Sequence, residues 1–505
     1  MVSAELLSPA GLGGAGAGRP RGHYVAGEWR DGTTYRADVS PGDTDDVIGI
    51  FPSDGGAVVD DAIAAAAAAA PGWARTSGEV RGDALQRVSD EIAGRAAELA
   101  DVLAREEGKT RAEATGEVLR ASRIFRFFAG EAVREHDTVT PSTRPGVEVA
   151  VRRRPVGVAG IITPWNYPIA IPAWKIAPAL AFGNAVVFKP AEIVPASAWL
   201  LTEILSRAGL PDGVFNLVMG SGRTVGAALV ESPSVDALSF TGSSDVGRGI
   251  AVGRAGRLGK VQLEMGGKNA MVVASDADLD LAVQCAVDSG FFSTGQRCTA
   301  SSRIVVMRSV HDAFVDKLVA RTRQLSVGHP LDDGVQVGPV ASEAQLRQDL
   351  EYIDIGRREG ATLAVGGDRL DRGRTGNYLA PAVFTDATPS MRISTEEIFG
   401  PVVAVMPVDT YGEAVEVVND SRFGLTAGLV TRSLARAQHF QQHAQAGMVM
   451  VNVPTAGVDY HVPFGGLKDS SLGQREQGFA ARDFYTESVT SYVDARVTAD
   501  LEDAG

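Results

Sequence analysis

A chain of 505 residues with 45% hydrophobic residues and 58 glycines has room for about three globular domains of roughly 150 residues each. Its net charge is −14, and no lysine- or arginine-rich run is long enough to follow a phosphate backbone, which argues against nucleic acid or an anionic membrane and for a small-molecule partner. Two cysteines form no disulfide framework and, without a His/Cys cluster, no metal site, so a reducing compartment, the cytoplasm, is expected.

Residues 1–20 are rich in Gly and Ala and lack the basic start and sustained apolar segment of a secretory signal; they read as a disordered tail. No stretch reaches the roughly 20 apolar residues of a membrane span. From Val58 to about Glu135 the period is helical. The alanine run there, with Asp60 and Asp61 near its start where the macrodipole favours acids, is expected to stop at Pro71. Leu85, Val88, Ile92, Leu99 and Val102 leave one apolar stripe. The period then switches. Val147 to Arg153 alternates as a half-exposed strand does, and Pro155 ends it.

After Gly157 short apolar runs, "VAGII", "AVVF", "VFNLV", "ALSF" and "VQLE", recur with helix-like stretches between them. Buried parallel strands with helical crossovers give this beat. A second alternation follows "LEMGGK": "AMVVA", a helix from about Asp278, "RIVVM", another helix, then "LAVGG", "PVVAVM", "GLVT" and "MVMVN". The fold class is therefore α/β, with two doubly wound domains. Residues 21–138 and 157–266 are assigned to the first, 267–469 to the second, and 139–156 with 482–497 to strands that pair with each other or with another subunit.

In such sheets ligands bind beyond the carboxyl ends of the strands. Those positions carry "TPWNYP" (Thr163, Pro164, Trp165, Asn166, Tyr167), "KPAE", "TGSSDVG" and "MGGK". Helix capping alone accounts for Thr241 or Ser243. All four strand ends together are hard to assign to it. The turn at Thr241, Gly242 and Ser243 offers backbone N–H groups and a helix start to a pyrophosphate, although G-x-G-x-x-G is absent. Lys189 and Glu192 stand where a dinucleotide fold grips the adenosine ribose; their alternative is a solvated ion pair. Cys285 lies in the helical run "DLAVQCAVDSG" and reads as core. Cys298, in "FFSTGQRCTASSR", has a polar setting that argues against burial. A nucleophilic thiol needs local help, which Arg297 and nearby amides are placed to give.

"PWNYP", "FKPAE", "FTGSSDVG", "LEMGGKN", "GQRC", "EEIFGPV" and "PFGGLK" together resemble the NAD(P)-dependent aldehyde dehydrogenase superfamily, in its order and spacing. The resemblance implies that Cys298 attacks the aldehyde, that Asn166 and the Cys298 N–H hold the oxyanion, and that Glu264 is the base for thioester hydrolysis. It implies that Glu397 and Phe399 position the nicotinamide ribose and ring, and that Tyr167 and Phe464 face substrate. Lys175 and Glu476 match a lysine and a second acid near the family's active site. Met265 stands where the family usually has leucine, a volume-conserving change. Glu192 would repel a 2′-phosphate, so NAD is expected over NADP.

"PTAGVDYHVPFGGLKDSS" and "FRFFAGEA" are similar to the family's branch that oxidises 2,5-dioxopentanoate, the semialdehyde of 2-oxoglutarate. A carboxylated aldehyde needs a cation, preferably guanidinium, and Arg297, Arg120 and Arg123 are the candidates, the last two three apart on one helix; their alternative is solvated surface arginine. Succinic semialdehyde, a broad aldehyde range, a CoA-acylating reaction and a catalytically silent structural homologue are the rivals. Glu264 speaks against the CoA reaction, and Cys298, Asn166 and Glu264 against the silent homologue. A homodimer or homotetramer is the expected assembly. His461 either touches substrate or packs, with packing favoured.

Overall fold

A computed structural model describes residues 21–134 and 137–494 of the chain. The tail assigned to residues 1–20 and the last residues of the strand assigned to 482–497 lie outside the described residues.

The apolar runs after Gly157 become the buried centre of an eight-stranded sheet. Edge to edge it runs Glu28–Arg30, His23–Val25, Phe215–Leu217, Ala185–Lys189, Val158–Ile162, Ala237–Thr241, Lys260–Glu264 and Ser471–Leu472. The middle five strands are parallel and the outer pairings antiparallel. In chain order the five parallel strands stand 3-2-1-4-5, so their order reverses between Val158–Ile162 and Ala237–Thr241. Loops leaving those two strands turn to opposite faces and open a crevice, the usual ligand position in a doubly wound sheet.

The second alternation builds a seven-stranded sheet in the order Thr362–Val365, Ala382–Thr385, Val402–Val408, Ser301–Met307, Asn269–Val273, Thr426–Val430 and Met448–Val451. Only its first pairing is antiparallel. Val272, Val305, Ala404 and Leu429 pack one face, and Met271, Val273, Ile304 and Val405 the other. Burial on both faces is why these strands read as continuous apolar runs.

Four helices, Val59–Arg75, Gly78–Gly94, Ala96–Glu107 and Arg111–Glu131, fill the helical stretch. Leu85, Val88, Ile92 and Leu99 are buried in the first core. Thr110 and Glu113 form a reciprocal capping box at the start of the fourth helix. The first helix does not stop at Pro71 but continues to Arg75. Pro71 forfeits one backbone bond, and tertiary packing outweighs that loss, because Trp73 is buried and its Nε1 donates to the Leu180 carbonyl at 3.0 Å.

The leftover strands form a third sheet in the order Thr486–Asp494, Val147–Pro155, Thr138–Pro141. Its final strand starts at Thr486, and residues Ala481–Tyr485 are a helical turn. That turn buries Phe484 and Tyr485 against the first core, which an alternating sequence pattern does not reveal.

Candidate active site

Two clefts meet at Cys298. One, of about 230 Å³, is lined by Pro164, Trp165, Asn166, Thr241, Gly242, Ser243, Met265, Glu397, Phe399 and Cys298. Its walls are the loops at the order reversal of the first sheet and three later segments, around Cys298, Gln345 and Glu397. Thr163 backs it, with its N–H donating to the Lys189 carbonyl at 3.2 Å.

Polar groups around this cleft are held ready for a ligand. The hydroxyls of Thr163, Thr241 and Ser244 are buried without a partner among the described residues, an expensive state unless something bound completes it. The helix Ser244–Ala255 starts here, and Ser243 does not cap it with its side chain. Its first N–H groups therefore face the cleft mouth, where the helix dipole favours an anion. Glu397 accepts the Gly267 N–H at 2.8 Å, and burial pushes its carboxyl up to about 7. Phe399 has φ 65° and meets Trp165 edge-on with ring centroids 5.4 Å apart. These groups fit a dinucleotide with a sugar and a flat ring at the inner end.

Glu192 is exposed and lines a separate shallow cavity with Pro190, Met219 and Gly220. Lys189 lines neither. Its Nζ donates to the Pro190 carbonyl at 3.0 Å, and burial lowers its ammonium to about 8.

The second cleft, of about 250 Å³, is lined by Glu113, Arg120, Tyr167, Trp174, Ser293, Arg297, Cys298 and Phe464, among others. Phe464 packs on Trp174 with centroids 5.5 Å apart. Arg120 reaches across from its helix to donate to the Val458 carbonyl and, at 3.2 Å, to Gln477 Oε1. Its Nε has no partner among the described residues. Arg123 is not part of this wall but exposed, because three residues turn a helix about 300° and the buried stripe here runs through Glu117 and Ile124. His461 is also exposed, against Tyr460 at 5.6 Å, and lines neither cleft.

The thiol contradicts the expected activation. Burial and then the carboxylates Glu264, Glu397 and Glu476 push Cys298 up to about 12, opposed by the Thr299 N–H. Arg297 does not help it. That guanidinium turns to Ser293 Oγ at 2.9 Å and Glu113 at 3.5 Å. The side chain is half-buried and lines both clefts, as its polar sequence setting leads one to expect; what differs is that the Arg297 guanidinium is turned away from it. Cys285 is 1% exposed, as a core residue should be.

Asn166 places its amide in the wall beside Cys298. One amide hydrogen goes to the Gln296 carbonyl at 2.9 Å, and the second remains for a ligand. Glu264 ends the strand Lys260–Glu264 and lines neither cleft; its Oε2 accepts from Ser471 Oγ at 2.6 Å. Burial and Glu476 raise its carboxyl well above the usual range, while Ser471 opposes the shift. Lys175 and Glu476 form a buried ion pair with each other, shared with Ser239 at 2.8 Å and Trp174 Nε1 at 2.7 Å. They lie behind the cleft wall.

Sequence reading missed the support of the Asn166 loop. Lys109 Nζ bonds Glu117 Oε2 at 2.5 Å and the Asn166 carbonyl at 2.7 Å. Glu117 Oε1 accepts the N–H groups of Ile169 and Ala170 at 2.9 and 3.0 Å. Lys109 and Glu117 are eight residues apart on either side of the capping box, a spacing without a helical meaning. Gln345 and Gln348 also line the first cleft, on a helix whose pattern marks only its apolar face.

An aldehyde dehydrogenase family model matches residues 29–491. The chain is 42% identical over 476 residues to the α-ketoglutaric semialdehyde dehydrogenase of Bacillus subtilis, covering 93% of this chain and 97% of that one. It is 44% identical over 482 residues to the α-ketoglutarate semialdehyde dehydrogenase of Haloferax volcanii, covering 94% and 99%. A crystal structure of betaine aldehyde dehydrogenase from Staphylococcus aureus in complex with NAD+ superposes with a TM-score of 0.92 at 34% identity, covering 95% of this chain and 96% of that one.

Proposed function

Because the chain belongs to the aldehyde dehydrogenase family, we propose that it oxidises a carboxylated semialdehyde, 2,5-dioxopentanoate, to the diacid, with NAD as cofactor and Cys298 as nucleophile. The observation that carries the substrate class is Arg120. This guanidinium lines the second cleft yet hydrogen-bonds only neutral acceptors among the described residues. Arg297, by contrast, already has Glu113. A guanidinium that lines the cleft without a bonded carboxylate favours a substrate carboxylate and disfavours a cationic aldehyde. The names of the two semialdehyde dehydrogenases similar to this chain support the same reading.

The chemistry follows from the residues. Cys298 Sγ bonds to the aldehyde carbon, and the carbonyl oxygen takes negative charge. The free Asn166 amide hydrogen and the Cys298 N–H meet that charge as it develops, which is where preorganised donors lower a barrier most. The Ser244 helix start, Thr241, Glu397 and Phe399 would hold NAD, which would supply the acceptor for the hydride that carbon loses. The acyl group is then a thioester on Cys298. Glu264 takes a proton from water, whose oxygen bonds to the acyl carbon as the C–S bond breaks, and that proton passes on to the leaving sulfur, releasing the acid and the thiol. Glu264 is among the carboxylates that raise the proton affinity of Cys298, and the proton the thiol loses on attack leaves to solvent through the clefts before Glu264 acts as base.

Glu192 supports a preference for NAD over NADP. The open edge Thr138–Pro141, with Val139, Tyr492 and Val493 exposed nearby, supports strand addition by a second copy. No helix among the described residues is long and apolar enough to cross a membrane; the cytoplasm remains our assignment.

Steady-state kinetics with NAD test the proposal across 2,5-dioxopentanoate, succinic semialdehyde, betaine aldehyde and simple alkanals. We expect the highest kcat/KM for 2,5-dioxopentanoate and none in Cys298→Ala. A higher value for betaine aldehyde or an alkanal overturns the substrate class, and a higher one for succinic semialdehyde shortens the assigned chain.

A further inference from the structure

We propose that Ser471 is a positioning residue for Glu264: its hydroxyl holds the carboxyl group outside the clefts and favours its ionised form until the acyl-enzyme calls for a base. The inference rests on the reading of Glu264 as the hydrolytic base. The sheet itself sets up the contact. Lys260–Glu264 pairs antiparallel with Ser471–Leu472, and Glu264 stands directly opposite Ser471. Opposed residues in an antiparallel pair send their side chains to one face.

The Gly466 N–H donates into Ser471 Oγ at 2.6 Å, and the Ser471 O–H donates to Glu264 Oε2 at 2.6 Å. The loop delivering Ser471 is anchored: the Ser470 carbonyl accepts the Met265 N–H at 2.8 Å, the Gly424 N–H donates to Ser470 Oγ at 3.0 Å, and Arg475 donates to the Gly466 carbonyl. Gly465 lets this loop close over the carboxylate, since a Cβ there would stand 2.7 Å from Glu264 Oε1. Ser471 thus sits at the edge of the first sheet with a rigid donor aimed at a buried acid.

A donor to the charged form favours that form. Burial and Glu476 act the other way on Glu264, and Ser471 is the first group to oppose them. Without its hydroxyl the acid takes up a proton at higher pH, and a protonated carboxyl cannot take a proton from water.

The test follows formation and hydrolysis of the acyl-enzyme separately, by the NADH burst and by quenched intact mass, between pH 6 and 10. In Ser471→Ala we expect an unchanged burst rate and an ascending limb for thioester decay shifted up by about one pH unit. Ser471→Thr, which keeps the donor, returns the limb to within a few tenths. Ser471→Gly, which also removes it, must match the alanine variant and serves if that variant is insoluble. An unmoved limb, or the same shift in Ser471→Thr, overturns the proposal. Glu264→Gln separates the two claims: a trapped thioester upholds Glu264 as base whatever Ser471 does, whereas wild-type turnover removes the base assignment and this inference with it.

Discussion

The Lys109 ammonium donates to the Asn166 backbone carbonyl across 2.7 Å, joining residues 57 apart in the chain. Lys109 is buried, and its charge is balanced by Glu117, also buried. The loop that carries the Asn166 amide is therefore fixed from behind by an ion pair. Removing one partner of such a pair strands the other charge and costs about 3–5 kcal/mol. Lys109→Met should lower unfolding free energy by that amount in urea titration. It should also cut kcat at permissive temperature by on the order of 10²-fold, because the oxyanion donor shifts. Loss of stability with wild-type kcat would limit Lys109 to a folding role.

Asn166→Ala removes the side-chain donor and leaves the Lys109 contact, which is to the backbone. We expect kcat lower by about 10²–10³, a slowed NADH burst in stopped flow, and little change in thermal stability.

Arg120 and Arg123 are adjacent on one helix and differ in surroundings. Arg120→Ala should raise KM for carboxylated semialdehydes by about 10- to 100-fold, the value of a charge-assisted bond, with a much smaller change for a neutral aldehyde of similar size. Arg123→Ala should change neither, because its side chain is exposed. Equal effects of Arg120→Ala on both substrates would refute the carboxylate contact.

With its pKa pushed to about 12, the Cys298 thiol of the free enzyme is protonated at neutral pH. Alkylation by iodoacetamide, read by intact mass, should then accelerate roughly tenfold per pH unit without a plateau below about pH 10. A nearby carboxylate favours the protonated thiol, so Glu397→Gln, which removes negative charge, should speed alkylation at fixed pH. Since Glu397 itself titrates near 7, that gain should be larger at pH 8 than at pH 6.

Glu192→Gln removes the charge expected to repel a 2′-phosphate. The ratio of kcat/KM for NADP to that for NAD should rise by about tenfold, measured at fixed ionic strength. An unchanged ratio would place the discrimination elsewhere.

The apolar runs "VAGII", "AVVF", "ALSF" and "VQLE" showed where strands lie, because a strand buried on both faces has no polar alternation to hide it. The residues after them marked the ligand face for the same topological reason. Pro71 misled, because the cost of one missing backbone bond is local and the Trp73 contact that offsets it comes from residue 180. Arg123 misled too, since a spacing of three fixes proximity on a helix but not which flank is buried.

What the sequence determined by itself is the kind of protein and which residues stand at its strand ends: strand period, strand-end residues and motif order are properties of adjacent positions. Only the tertiary structure decided the state of those groups. The high proton affinity of Cys298, the Ser471 bond to Glu264 and the Lys109 brace behind Asn166 all depend on burial and charge supplied by distant segments. Coulomb and desolvation energies depend on distance through space, and separation along the chain does not encode it.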